Sequence, residues 1–420
     1  MFLIHSINRY SNTNIDTSLR YPLVIKEVLR TEYIEKILYF KDRTEILKVI
    51  IGPRGSGKSV LLEQYRRRLI ETGVEEKSVL CIDLRSPEFH DVKDHKDLND
   101  YLSTMMPREQ RAYVFIEGIQ RISEWERTIN SLSVDYDADV YITGSNGYLM
   151  SSELSTYLSG RYLEIEVLPL SFKEFLRSNP ADADNDRNSR FQKYLKLGGI
   201  PLVDPNADMR TNDRILEGTY HMILLKEVAQ RANIKDTIAF EAVAKFIFEN
   251  TQNLTNVESI TSELEINTKT VKKYISALEE AFLIFKAERY DIVGKKIQHT
   301  HVKYYPADPG LARVAISAES MEPSAVLETV VYLELRRRGY RIYVGSYRDK
   351  EVDFIAEKGG RINYYQVCQT LLPDDIFGKK VDSLDSIRDS YPKTILSLDS
   401  FLRPAPNGIE HRNVINWLLE

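Results

Sequence analysis

The chain has 420 residues, 43% of them apolar and 28% charged, which at about 150 residues per domain implies two to four packed domains and excludes a disordered chain or a fibre. Lys plus Arg number 57 against 62 Asp plus Glu, a net charge of −5. That balance excludes a polyanion coat or a basic membrane-surface stripe along the whole chain.

The opening Met-Phe-Leu-Ile-His-Ser-Ile-Asn-Arg is interrupted too early for a secretory apolar core. No apolar run nears the roughly 20 residues of a membrane helix, so no membrane partner is expected. The two cysteines, Cys81 and Cys368, are too few for a disulfide framework or a cysteine zinc site. They fit a reducing, cytoplasmic compartment. Residues 1–44 form a first segment, with amphipathic helix expected within Ile25–Tyr39.

From residue 45 to about 178 an alternating pattern predicts an α/β domain with a parallel sheet. Its strand candidates are Ile46–Ile51, Val79–Leu84, Ala112–Ile116, Val140–Thr143 and Tyr162–Leu168, rich in Val, Ile, Tyr and Phe. Such composition suits strands buried on both faces. Val60–Ile70 and Trp125–Leu132 are long enough for crossover helices.

After the first strand comes Gly52-Pro53-Arg54-Gly55-Ser56-Gly57-Lys58-Ser59, a complete G-x-x-x-x-G-K-[ST] in strand–loop–helix context. Glycines let successive N–H groups curl around a phosphate, and the following helix adds its positive end. Lys58 is expected on the β- and γ-phosphates of ATP, and Ser59 on Mg²⁺. The third strand ends Ile116-Glu117-Gly118. Glu117 can hold Mg²⁺, but Gly118 cannot act as a base. At the end of the fourth strand, Thr143-Gly144-Ser145-Asn146 is either a γ-phosphate sensor, through Ser145 or Asn146, or simply a turn.

The P-loop, Ile142-Thr143-Gly144-Ser145, Leu158-Ser159-Gly160-Arg161 and Leu168-Pro169-Leu170-Ser171-Phe172-Lys173-Glu174-Phe175 resemble, in that order, the AAA_14 group of bacterial and archaeal AAA-type ATPases. Tyr194-Leu195-Lys196-Leu197-Gly198-Gly199-Ile200-Pro201 is similar to a segment of the DUF4143 region that accompanies them. The resemblance implies a P-loop NTPase fold from about Arg30 onward, and it makes Arg161 a sensor or arginine finger, in cis or in trans. Pairing of Arg161 with Glu164 or Glu166 is the structural alternative. The group usually carries Asp-Glu where this chain has Glu117-Gly118, so binding with slow hydrolysis is expected.

Residues 190–305 read as helical, with a winged-helix candidate at about 255–305. A helix at Val257–Leu264 is followed by one over Thr268–Ala281, with Thr268 as its N-cap. Val271, Ile275, Leu278 and Phe282 share one apolar face. Leu283–Tyr290 and His301–Tyr305 are the wing-strand candidates. Lys269, Lys272 and Lys273 point away from the apolar face, where a recognition helix meets phosphates. The module holds eight Lys plus Arg against seven Asp plus Glu, so weak DNA binding or a protein contact is expected.

Residues 306–420 read as a further α/β domain: a helix Ser324–Arg338, then strands Tyr340–Val344, Glu351–Glu357 and Arg361–Cys368. This order resembles the PD-(D/E)xK, restriction-endonuclease-like superfamily. The resemblance places Glu328, Asp353 and Gln366 at the metal-binding positions and Cys368 where a catalytic lysine stands. Gln366 binds a hard cation weakly, and Cys368 cannot stabilise a hydroxide, so an inactive remnant is expected. The whole reads as a nucleotide switch coupled to modules contacting DNA or protein, with oligomerisation open. The alternatives are a DNA-binding scaffold with structural ATP, and an active nuclease.

Overall fold

The computed structural model describes residues 27–107, 110–145, 160–179, 186–316 and 321–420. Asn146, Leu158 and Ser159 lie outside the described residues, as does the segment before Glu27.

Helix α1 (Thr31–Tyr39) precedes a five-stranded sheet of β1 (Leu47–Ile51), β2 (Val79–Asp83), β3 (Ala112–Glu117), β4 (Ala138–Thr143) and β5 (Tyr162–Glu166). All strands are parallel, in the order β2-β3-β4-β1-β5. Crossovers are made by α2 (Lys58–Glu71), α3 (His95–Met105) and α4 (Trp125–Asp135). One face of the sheet packs Val114, Ile116 and Ile142 with Trp125; the other packs Ile50, Phe115 and Tyr141 with Leu61, Tyr65 and Ile37. Two-sided burial explains the apolar strands. Within it, Lys48 and Asp139 form a fully buried ion pair, with Tyr141 donating to Asp139 at 2.8 Å.

Short α5 (Phe172–Ser178) opens with a capping box, Ser171 accepting from the Glu174 N–H and Glu174 from the Ser171 N–H. Then come α6 (Arg187–Leu197), α7 (Met209–His221), a π-helical continuation at Met222–Ala229, α8 (Thr237–Glu249), α9 (Val257–Leu264) and α10 (Thr268–Glu280). The α9–α10 pair matches the expected helix-turn-helix spacing, and Val271, Ile275, Leu278 and Phe282 are all buried. The N-cap of α10 is Asn267, whose side chain accepts from the Lys269 N–H, rather than Thr268.

The expected wing is part of something larger. β6 (Ile284–Asp291) and β7 (Lys296–Pro306) form a hairpin whose β6 pairs in parallel with β8 (Arg341–Tyr347). With β9 (Lys350–Lys358), β10 (Arg361–Val367), β11 (Lys393–Ser397) and β12 (Glu410–Asn413) they make one sheet, ordered β12-β11-β10-β9-β8-β6-β7. The sequence boundary at residues 305/306 therefore falls inside a continuous sheet. Helices α11 (Pro309–Ala315), α12 (Pro323–Arg337), α13 (Asp374–Asp385) and α14 (Val414–Leu418) complete this part.

One apolar cluster runs from the first sheet through Phe172, Phe191 and Tyr194 to Phe285, Leu327 and Trp417. The arginines ending α12 reinforce this junction. Arg336 makes a bidentate pair with Glu166 at 2.7 and 2.8 Å, and Arg337 donates to the Pro169 carbonyl at 2.9 Å. Their sequence position suggests service to the helix dipole; the structure sends Arg336 across to β5 and Arg337 to the segment that follows it.

Candidate functional site

The loop Gly52–Gly57 leaves the carboxyl end of β1 and runs into α2. Gly52 is required here: its φ is +138°, and an added Cβ would lie 2.3 Å from the Val167 carbonyl oxygen. Lys58 folds back to donate to the Gly52 and Pro53 carbonyls at 2.8 and 2.7 Å. Burial, then the neighbouring charge of Arg85, pushes its amine down to about 7, against the pull of Glu117. The buried Ser56 hydroxyl has no hydrogen-bond partner among the described residues, as befits a group whose partner is a ligand.

Glu117, at the end of β3, accepts from the Ser59 hydroxyl. Burial raises its pKa above the usual carboxylate range, with Arg85 and Ser59 opposing. A hydroxyl facing a carboxylate is an oxygen donor set that suits Mg²⁺, so these two residues fit the ion. Gly118 takes φ +74°, and a Cβ there would lie 3.0 Å from Cγ of Arg85. Gly144 donates to the Ile50 carbonyl at 3.0 Å, which places the β4 end beside the loop.

Arg161 is elsewhere. Its carbonyl accepts from the Leu47 N–H at 3.1 Å, at the amino end of β1, whereas the P-loop follows Ile51. Strand rise puts these two ends about 15 Å apart, so this geometry excludes Arg161 from the phosphate end of its own chain. Of the two carboxylates named as alternative partners for Arg161, Glu166 pairs with Arg336.

The loop is braced by motif residues around it together with Arg30, Glu227 and Asp308, to which the sequence assigned no role. Buried Arg30 donates to both Glu174 oxygens at 2.9 and 3.0 Å, to the Ser56 carbonyl at 2.8 Å and to the Leu168 carbonyl at 3.0 Å. Burial alone would raise the pKa of Glu174; the charge and hydrogen bonds of Arg30 outweigh it and hold the carboxyl below its ordinary value. A Cβ at Gly55 or Gly57 would meet Ile200 or Pro201 at 4.0 and 3.6 Å, so the Gly-Gly-Ile-Pro segment lies against the loop. Arg54 pairs with Glu227 in the π-helical stretch. Asp308 anchors the same segment from the C-terminal side, accepting from Gly199 N–H at 2.6 Å and Leu311 N–H at 3.0 Å.

A second charged site lies in the C-terminal sheet, around a cavity of about 760 Å³. Glu328 on α12, Asp353 on β9 and Gln366 on β10 line it together. Lys303 on β7 bonds Glu328 at 3.2 Å and Glu351 at 2.7 Å. Burial, only partly offset by Lys303, pushes Glu328 up to about 7. Lys380 on α13 donates to Asp353 Oδ2 and Gln366 Oε1, both at 2.7 Å. The expectation of a missing lysine is thus corrected in one respect: Cys368 carries none, its buried thiol being pushed up to about 12, but a helix supplies an amine to the same carboxylate. No signal in the strand pattern pointed to it. Among the described residues no group of three or more His, Cys, Asp or Glu side chains is arranged to hold a metal ion, and lysines fill the cationic places.

A family model described as an AAA domain (AAA_14) matches residues 44–176, and a domain of unknown function, DUF8612, matches residues 188–322. The second model stands where the sequence resemblance implied DUF4143. An uncharacterized protein of Haemophilus influenzae is 38% identical over 400 residues, covering 94% of this chain and 99% of that protein. The chain belongs to the same family as that protein. An uncharacterized protein of Methanocaldococcus jannaschii is 27% identical over 384 residues, covering 85% and 83% of the two chains. Among solved structures, the Aeropyrum pernix ORC1 protein in complex with DNA aligns over 74% of this chain and 94% of that one, at 11% identity and a TM-score of 0.34. The family member described here has a parallel-sheet P-loop NTPase fold joined to a second, mixed sheet and helices. No helix among its described residues is long and apolar enough to cross a membrane.

Proposed function

We propose that the chain binds Mg²⁺–ATP in the Gly52–Ser59 loop and hydrolyses it slowly, as a nucleotide-dependent switch. The observation that carries this reading is the loop itself, with Lys58 folded onto its carbonyls and Ser59 facing Glu117. In this reading Gly52, Pro53, Arg54, Gly55, Ser56 and Gly57 cradle the phosphates, Lys58 neutralises the β- and γ-oxygens, and Ser59 with Glu117 holds Mg²⁺. The metal would neutralise phosphate charge when bound. Asn146 is assigned to the γ-phosphate, and Arg161 acts only from a neighbouring copy, which would make the active form an oligomer. Phosphates entering the loop compete with Glu227 for Arg54, and that competition supports a link from nucleotide to the helical region.

Calorimetric titration of ATP with Mg²⁺, paired with phosphate release, tests the proposal. Binding with slow release is expected, and Lys58→Ala abolishes both. Unchanged ATP affinity in that variant sinks the reading, and turnover of tens per second refutes slow hydrolysis. A partner, DNA or protein, is assigned to the helical region, where exposed Lys269, Lys272 and Lys273 lie along α10. A duplex-DNA shift that weakens with salt yet ignores Lys58→Ala favours a scaffold with structural ATP instead.

A second reading, metal-dependent phosphodiester cleavage in the C-terminal cavity, is favoured by one observation, the Lys380 amine on Asp353. It requires Mg²⁺-dependent cutting of DNA that is lost in Asp353→Ala. The neutral Gln366, and Lys303 paired with Glu328 where a metal would stand, argue for an inactive remnant, and intact DNA after prolonged incubation is the expected result.

A further inference from the structure

The end of β2 and the turn after it hold two charged residues, Asp83 and Arg85, that the P-loop reading does not use. Asp83 stands opposite Glu117 in the parallel register of β2 and β3. Its carboxylate is fixed on its own turn, Oδ1 accepting from the Arg85 backbone N–H at 3.0 Å. The Arg85 guanidinium grips Asp83 through both oxygens, at 2.7 and 2.9 Å. Its Nη2 also donates to Glu117 Oε2 at 2.7 Å and to the Ser59 hydroxyl at 3.4 Å.

Those last two oxygens are the ones assigned above to Mg²⁺. A guanidinium and a divalent cation cannot both occupy the space between them, so metal entry must turn Arg85 away. The side chain is 40% exposed and has room to move. Gly118 belongs to the same arrangement: a side chain there would press on Arg85 at 3.0 Å. The position at which related ATPases carry a glutamate is therefore the one vacated for Arg85 to cross. A carboxylate is nevertheless present one strand over, level with Glu117.

We propose that Asp83 is the carboxylate that orients the attacking water, and that Arg85 holds the metal's place until Mg²⁺–ATP arrives and then turns to the γ-phosphate. The proposal rests on the Mg²⁺–ATP reading above. In the step, the water oxygen forms a bond to the γ-phosphorus as the bond from that phosphorus to the β–γ bridging oxygen breaks. ADP leaves with the bond's electron pair, and the water proton passes to Asp83, which later returns it to solvent. The released Arg85 offsets charge on the transferred group.

The test measures ATP affinity as a function of Mg²⁺ concentration by titration calorimetry, and phosphate release in a single turnover, for the full chain and its variants. Asp83→Asn keeps Mg²⁺–ATP affinity within about twofold and slows release by about 100-fold, as expected for loss of a general base. Arg85→Gln lowers the Mg²⁺ concentration needed for half-maximal binding severalfold, because the competing cation is gone, while release slows at least about tenfold. Retained binding in both variants also reports that they fold. Wild-type release by Asp83→Asn, or an unchanged or higher Mg²⁺ midpoint in Arg85→Gln, overturns the proposal. A wild-type chain that binds Mg²⁺–ATP but releases no phosphate overturns the role of Asp83 and leaves the binding reading standing. Failure of the wild-type chain to bind ATP overturns both.

Discussion

Replacing Arg30 with alanine removes the guanidinium that ties the P-loop to α5, and the structure sets the size of the effect. Both partners of the Arg30–Glu174 pair are buried, with side chains 3% and 10% exposed. Removing one member of such a pair costs about 3–5 kcal/mol, because the other charge is left without compensation. The Ser56 and Leu168 carbonyls lose donors as well, adding to the upper end of that range. The pH dependence is more diagnostic than the size. In the wild-type chain the Glu174 pKa lies below its unfolded value, so its contribution is present above about pH 4.5 and is lost as pH falls through the folded value. Without Arg30, burial dominates and raises that pKa, so the variant's stability falls as pH rises. The penalty should therefore be largest near pH 7.5 and shrink toward pH 4.5, by about 1.4 kcal/mol for each unit the pKa has moved. Urea unfolding followed by tryptophan fluorescence at the two pH values measures both quantities. The double variant Arg30→Met/Glu174→Met should lose less than Arg30→Ala alone. A loss under about 1 kcal/mol at pH 7.5, or an equal loss at both pH values, refutes the argument.

Three further outcomes are expected. With the Lys58 amine near 7 in the free protein and held protonated by bound phosphates, ATP binding at pH 7.5 should take up about three-quarters of a proton. Binding heats in buffers of different ionisation enthalpy give that number, and Lys58→Arg should show none of this uptake. Lys380→Met leaves Asp353 buried beside the Val367 N–H without its cation, at a cost of about 3 kcal/mol; Lys380→Met/Asp353→Leu should recover most of it, and a single-variant melting temperature equal to wild type contradicts this. Burial pushes Asp308 up to about 6 against three backbone hydrogen bonds. Between about pH 4 and 6 the folded chain keeps a proton that the unfolded chain has lost, so this group's contribution falls as pH rises. The melting-temperature advantage of wild type over Asp308→Asn should accordingly narrow from pH 5 to pH 7, and a gap that widens reverses the sign.

The sequence alone determined the parts whose cause is local. The G-x-x-x-x-G-K-[ST] run needs only its own glycines and the strand and helix beside it, so Gly52–Ser59 and the parallel sheet were readable from spacing and apolar runs. The same holds for α9 and α10 and for the β9–β10 hairpin, where periodicity and a Gly-Gly turn act over a few residues. Tertiary structure decided what depends on distant partners. Glu117 was legible as a strand-end carboxylate, but Arg85 lying across it, with Gly118 clearing the way, depends on two strands meeting in register. Arg161 carried a motif and still lies at the amino end of β5, because parallel pairing with β1 sets which end faces the loop. Arg30, 26 residues before Ser56, and Lys380, 27 residues after Asp353, gave no sequence signal at all. A buried charge is positioned by the partner that offsets its desolvation, and only the fold brings the two together.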